Sequence, residues 1–216
     1  IKCYNRLMLH SHKNYLILFL LVFASISIKS ETNPYKFIDD NAQKMVKVLT
    51  NNSELFFSNR EVYENKIKEI FEPMIDFRRV SASVMGKKYY LIATHEERAN
   101  FVLIFKDSLL DTYAETLAQW GDSTISTEFP ANTDIDIDVK TIEVKQILDT
   151  GNSQYPISYK LRLVKEKWKI VNIIINGVNL GLTFRNQFQA LAISNEENIE
   201  LTIKKWVSDA GDAGIS

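Results

Sequence analysis

The chain has 216 residues, 26 Lys and Arg against 27 Asp and Glu, and a formal net charge of −1. A nearly neutral balance without basic clusters argues against nucleic acid as a partner, since phosphate binding needs concentrated Lys and Arg. Cys3 is the only cysteine, so a disulfide framework is excluded and the fold must rest on its core.

The first thirty residues place Lys2, Arg6 and Lys13 ahead of an apolar run from Tyr15 to about Ile28, then small residues such as Ser25, Ser27 and Ser30. This order predicts a cleaved secretory signal peptide over 1–30. The run is shorter than the roughly 20 residues a membrane-spanning helix needs. Cys3 precedes the apolar run and so cannot be the lipidated cysteine of a lipoprotein. Removing 1–30 deletes four basic residues (Lys2, Arg6, Lys13, Lys29) and no acid, which moves the net charge from −1 to −5. The remainder, 31–216, is read as one domain with a sizeable core.

Pro34 opens a helical pattern to about 51, with Phe37, Ala42, Met45, Val46 and Leu49 near a 3.6-residue period. A second helix is expected from an N-cap at Ser58, with Glu61 completing a capping box, through Val62, Ile67, Ile70 and Phe71 toward Pro73. Asp76 starts a shorter helix stopped by Gly86. Thr94, followed by His95-Glu96-Glu97, caps the longest helix, expected to about Trp120. Its apolar stripe, Phe101, Val102, Phe105, Leu109, Tyr113, Leu117 and Trp120, is rich in aromatics.

From Ser123 the period changes to two. Four strands are predicted at 123–129, 134–149, 155–165 and 167–176, joined by segments too short for parallel crossovers. Two helices, about 179–193 and 195–208, close the chain. Helices, then an antiparallel meander, then helices define an α+β fold.

Several chemistries fail on residue type. Asp134, Asp136 and Asp138 begin like a calcium loop, but its glycine position holds Val139 and its bidentate glutamate position Lys145. Alternation with Ile135 and Ile137 reads instead as a half-buried strand. His95 is the only histidine beyond the leader, so multi-histidine metal sites are absent and a histidine-based triad would rest on one helix-start residue. The seven glycines form no phosphate-cradling loop. No cofactor is implied.

Two stretches carry a resemblance. Trp168, Ile170, Gly177, Val178, Leu180, Arg185, Gln187 and Phe188 keep the spacing of the closing motif of the MlaC family of periplasmic phospholipid-binding proteins, with Asn172 in place of the usual acid and Asn179 in place of the usual Ser. Gly86, Tyr89-Tyr90, Arg98, Phe101, Phe105, Leu109 and Tyr113 resemble the same family's aromatic ladder, with departures at Met85, at the Tyr pair and at Glu97. The resemblance spans about 34–208. It implies a soluble, non-catalytic periplasmic carrier of phospholipid that maintains outer-membrane lipid asymmetry. It also implies two partners, an inner-membrane ABC lipid transporter with its substrate-binding ring and an outer-membrane lipoprotein complex.

Such a carrier needs an apolar cavity, expected between the long helix and the sheet. The candidate lipid-binding residues are Phe101, Phe105, Leu109 and Tyr113 from the helix, with Ile142, Val144, Tyr159, Leu161, Leu163, Val171 and Ile173 from the strands. The fourth strand is apolar on both faces, which leaves Trp168, Ile170 and Ile174 as its alternative set. Arg185, Arg78 and Arg79 are candidates for a head group or an acidic partner. A helix-plus-curved-sheet body also resembles the NTF2-like superfamily, so a small-molecule isomerase or dehydratase is the second reading, and a solid-cored interaction module the third.

Overall fold

The computed structural model describes residues 33–118, 123–131 and 139–209, with backbone alone for 114–118. The leader, Asp134 to Asp138, Trp120 and the side chain of Leu117 lie outside what it describes. Helix α1 (Pro34–Asn51) begins on Asn33, whose side chain accepts from the Lys36 N–H, with Pro34 at the first helical position. A short α2 (Ser53–Ser58) precedes α3 (Arg60–Phe71). The cap of α3 is Asn59, accepting from the Val62 N–H, not the expected Ser58. Ser58 is instead the last residue of α2 and donates its hydroxyl to the Glu54 carbonyl.

After a 3-10 turn (Glu72–Met74), α4 runs Phe77–Ile92 and is broken at Gly86, where φ is 70° and ψ is 168°. The expected stop is thus a kink after which the helix resumes, a conformation glycine adopts without steric cost. Helix α5 (His95–Ala118) opens on the expected cap, Thr94, which with Glu97 forms a capping box not anticipated from the sequence. The Thr94 N–H donates to Glu97 Oε2 at 2.6 Å, and the Glu97 N–H donates to Thr94 Oγ1 at 3.1 Å.

The described sheet is an antiparallel meander in chain order: β1 (Thr124–Thr127), β2 (Thr141–Asp149), β3 (Gln154–Val164), β4 (Lys167–Ile175) and β5 (Val178–Asn179). The fifth strand, a two-residue stub not anticipated from the sequence, pairs with β4 across Asn176-Gly177, both at positive φ (48° and 83°). A two-residue turn of that hand matches strand twist. Helix α6 (Leu180–Ser194) and a short α7 (Ile199–Lys204) follow. The α+β reading holds.

One irregularity organises the sheet. Lys160 pairs with Asn172 while Leu161 pairs with Ile170, so Val171 is an extra residue, a β-bulge. Side chains alternate along a strand, and one inserted residue shifts that alternation by one. Trp168 and Ile170 before the bulge, and Ile173 and Ile175 after it, therefore share the face presented by Ile157, Tyr159, Leu161 and Leu163 of β3. Neither of the two alternative sets for β4 is correct as a whole, because the inward face takes part of each. At the bulge the Asp76 N–H donates to the Ile170 carbonyl at 3.0 Å, tying the start of α4 to the sheet.

The core divides along the same line. On one side seven rings pack together: Tyr89, Phe101, Phe105, Tyr113, Phe184, Phe188 and Trp206. Phe101 to Phe188 is 4.9 Å between centroids, Phe101 to Trp206 is 5.5 Å and Phe105 to Phe184 is 5.7 Å. These edge-on contacts suit the ring quadrupoles. On the other side, Met45 and Leu49 of α1 meet Tyr63 and Ile67 of α3 in a smaller cluster.

Candidate functional site

Between α1, α3 and the sheet lies a cavity of about 1110 Å³, counting the space at its mouth. Its floor is the inward face of the sheet beyond the bulge: Ile125, Leu148, Ile157, Tyr159, Ile173 and Ile175. Helix α1 supplies Ile38, Asn41, Ala42, Met45, Val46 and Leu49, and α3 supplies Ile67, Ile70 and Phe71. Met74 and Ile75, then Leu109, Leu110 and Tyr113 of α5, and finally Leu180 of α6 complete the wall. None of these side chains is charged.

A polar seam holds α1 against the sheet edge. Thr127 donates to Asp39 Oδ1 at 2.7 Å, Gln146 Nε2 donates to Thr127 Oγ1 at 2.8 Å, and Gln43 Nε2 donates to the Ile125 carbonyl at 3.0 Å. Gln146 is buried to 1 % exposure, and its Oε1 finds no partner among the described residues.

Of the eleven candidate lipid-contacting residues, Leu109, Tyr113, Tyr159 and Ile173 stand on this wall. The other seven do not. Phe101 and Phe105, both at 0 % exposure, point away from the cavity into the ring cluster against α6 and Trp206. A 24-residue helix is about 36 Å long, so one stripe can serve a solid core in its first half and a cavity further on. Val144 and Leu161 are also fully buried, and Ile142 and Leu163 pack half-buried on the same core. Val171 is the bulged residue. The alternative residues Trp168 and Ile170 are likewise closed core, and Ile174 lies on the opposite alternation.

The sequence reading missed α1 and α3 as walls. The signal was present in the spacing of Ile38, Ala42, Met45, Val46 and Leu49, but amphipathicity alone does not distinguish a helix covering a core from one covering a void.

The arginines fall elsewhere. Arg185 reaches across to α4, Nε donating to the Ser83 carbonyl at 2.7 Å and an Nη to Ser83 Oγ at 2.9 Å. Ser83 lies just before the Gly86 break, where carbonyls lose helical partners, so Arg185 caps the first half of a broken helix. A Cβ on Gly86 would stand 3.8 Å from Arg185 Cδ and 3.5 Å from Gln189 Nε2, and Tyr89 packs on Phe188 at 5.8 Å. The two motif stretches therefore meet as one helix junction. Arg78 and Arg79 are exposed on the first turn of α4 and line no part of the cavity.

Asn172 also has a structural place. Its Oδ1 accepts from the Gly181 N–H at 3.1 Å, satisfying a free donor in the first turn of α6, while Asn179 caps the same helix through the Leu182 N–H. Among the described residues no three His, Cys, Asp or Glu cluster to hold a metal ion, and no helix is long and apolar enough to cross a membrane.

Likeness to known proteins agrees with the motif reading. The toluene tolerance protein ttg2D of Pseudomonas putida is 28% identical over 199 residues, covering 92% of this chain and 90% of that protein. A phospholipid-binding protein from Ralstonia solanacearum, solved in complex with a phospholipid, superposes with a TM-score of 0.68 at 20% identity. That match covers 80% of this chain and 96% of the other, and extends to the fold. The family model described as MlaC protein matches residues 39–208. By that match, over most of its length and across both motif stretches, the chain belongs to the MlaC family.

Proposed function

We propose that this protein is a non-catalytic phospholipid carrier, holding acyl chains in the cavity between α1, α3 and the sheet. The observation that carries the reading is the cavity itself: among the described residues its wall carries no charged side chain. Small-molecule sites are usually apolar with a few polar groups, and this one is apolar to a degree that suits alkyl chains. The phospholipid in the Ralstonia solanacearum relative supports the same class of cargo.

The energetics fit a carrier. Each methylene removed from water gains ~0.8 kcal/mol, so two ordinary tails represent on the order of 20 kcal/mol against water and almost nothing against a bilayer. Cargo is held securely in aqueous solution and released where an equivalent apolar surface is offered. Following the secretory leader, we place the protein in the periplasm. There it would exchange lipid with an inner-membrane ABC transporter through its substrate-binding ring, and with an outer-membrane lipoprotein complex, maintaining outer-membrane asymmetry. The body is mildly acidic, so contact with anionic membranes by charge alone is disfavoured.

Native mass spectrometry of protein purified from cells, followed by lipid extraction, tests the proposal. A mass increment matching an extractable phospholipid is expected. Protein that is uniformly free of lipid would overturn the reading.

A further inference from the structure

Among the described residues of the cavity wall, three carry a nitrogen or oxygen in their side chains: Asn41, Tyr113 and Tyr159. Asn41 turns its amide back onto its own helix, Nδ2 donating to the Phe37 carbonyl at 2.8 Å. The Tyr113 hydroxyl is sealed among protein atoms and bonded to nothing among the described residues. Tyr159 differs from both. It sits mid-strand on β3, between Val144 of β2 and Ile173 of β4, on the inward face. No described residue hydrogen-bonds its hydroxyl, yet that oxygen is not sealed as those of Tyr63 and Tyr113 are. Tyr159 is one of the residues that line the cavity.

An unpaired hydroxyl on an apolar wall costs free energy unless the occupant brings a partner. Burial holds the Tyr159 phenol well above the usual tyrosine range, so it stays protonated and can donate across the physiological range. The occupant must therefore present an acceptor. Resting on the carrier reading above, the groups of a phospholipid can be sorted. Its phosphate is charged and finds no Lys, Arg or His among the described residues of this wall, so it stays at the mouth. Its methylenes have no acceptor. Its ester carbonyls are neutral, accept strongly and stand at the head of each chain.

We infer that Tyr159 donates a hydrogen bond from the cavity wall to an acyl-ester carbonyl of the bound lipid, making the protein selective for ester-linked over ether-linked chains. The chemistry recognised is a neutral carbonyl at the junction between an alkyl chain and glycerol. A dialkyl lipid of equal length fills the same volume but leaves the hydroxyl unpaired, the situation in which a polar site discriminates.

The test is competition. Delipidated protein is incubated with vesicles containing equal amounts of a diacyl phosphatidylethanolamine and its dialkyl-ether analogue of the same chain length, and the lipids carried by the repurified protein are measured by mass spectrometry. One neutral hydrogen bond corresponds to a preference of about three- to tenfold for the ester lipid. Tyr159→Phe is expected to load the two lipids without preference. Tyr63→Phe, which removes a hydroxyl from the α1–α3 cluster away from the wall, keeps the preference. Equal loading of the two lipids by the unmodified protein overturns the assignment alone, as does a preference that survives Tyr159→Phe or disappears in Tyr63→Phe. Failure to load either lipid overturns the carrier reading and this assignment with it.

Discussion

Filling the cavity from α1 separates a carrier from a protein that merely contains a void. Ala42 presents its methyl group to the wall, and Ala42→Trp projects an indole into the space opposite. An indole takes the room of about six methylenes, so at ~0.8 kcal/mol per methylene the displaced stretch of chain forfeits about 5 kcal/mol. If rerouting of the chain recovers half, retention falls by about 2.5 kcal/mol, close to a hundredfold. The folded body should not suffer, because the new ring occupies empty volume and buries its own apolar surface. The assay is phospholipid per mole of purified protein, beside a thermal melt of lipid-free samples. The expected result is strongly reduced loading with a Tm equal to or above that of the parent. Loading within about twofold of the parent, by a folded variant, would refute the placement of cargo in this cavity.

Three further outcomes follow from contacts described above. Arg185→Met removes two hydrogen bonds to Ser83, and should lower stability in urea by about 1.5–3 kcal/mol while leaving lipid per folded molecule unchanged. A loss of lipid without loss of stability would return Arg185 to head-group recognition. Gly181→Ala would put a Cβ 2.5 Å from Asn172 Oδ1, so the Asn172 side chain must leave its cap, at a cost of about 1 kcal/mol. In a double-mutant cycle with Asn172→Ala the two losses should be strongly non-additive, and simple addition would show that the cap is not the cause.

The third outcome concerns alkaline pH. Burial pushes the Tyr63 phenol up to about 12 and raises those of Tyr113 and Tyr159 as well, the latter two chiefly by burial. A folded-state value above the unfolded one means the native protein holds its protons longer, so this stability is complete below about pH 10 and is lost as pH rises through the folded values. Stability should therefore fall above pH 10 by up to about 1.4 kcal/mol per unit per buried tyrosine. Phenolate absorbance should show these groups ionising together with unfolding, and free titration in folded protein would contradict it.

The order of elements was legible because it rests on local signals. Pro34, the Thr94 cap and the change of period at Ser123 each mark a boundary through their own chemistry, whereas Gly86 marks a kink within a helix that resumes. The Ser58 cap failed because two neighbouring residues compete for one role, and Asn59 holds it once α2 uses Ser58. The cavity was legible only in part. The aromatic ladder of α5 was assigned to it as a unit, but Phe101 and Phe105 belong to a solid cluster assembled from α6 and Trp206, which are distant in sequence. The apolar character of both faces of β4 was visible, yet its cause was not. A bulge is a mismatch between two strands, and one strand read alone does not contain it. The Asn172 departure from the family acid concerns the first turn of α6, a partner that the sequence alone did not reveal.

The division of the interior at Val171 leaves the two ends of the protein with unlike mechanical properties. Closely packed rings transmit load and barely yield to compression, whereas an unfilled void is volume that unfolding can eliminate. Hydrostatic pressure therefore acts selectively on the half containing α1 and α3, while the junction of α4, α5 and α6 resists it. An occupant of the cavity removes that asymmetry by taking the place of the missing side chains. In mechanical terms the cargo is the part of the interior that the chain does not itself supply.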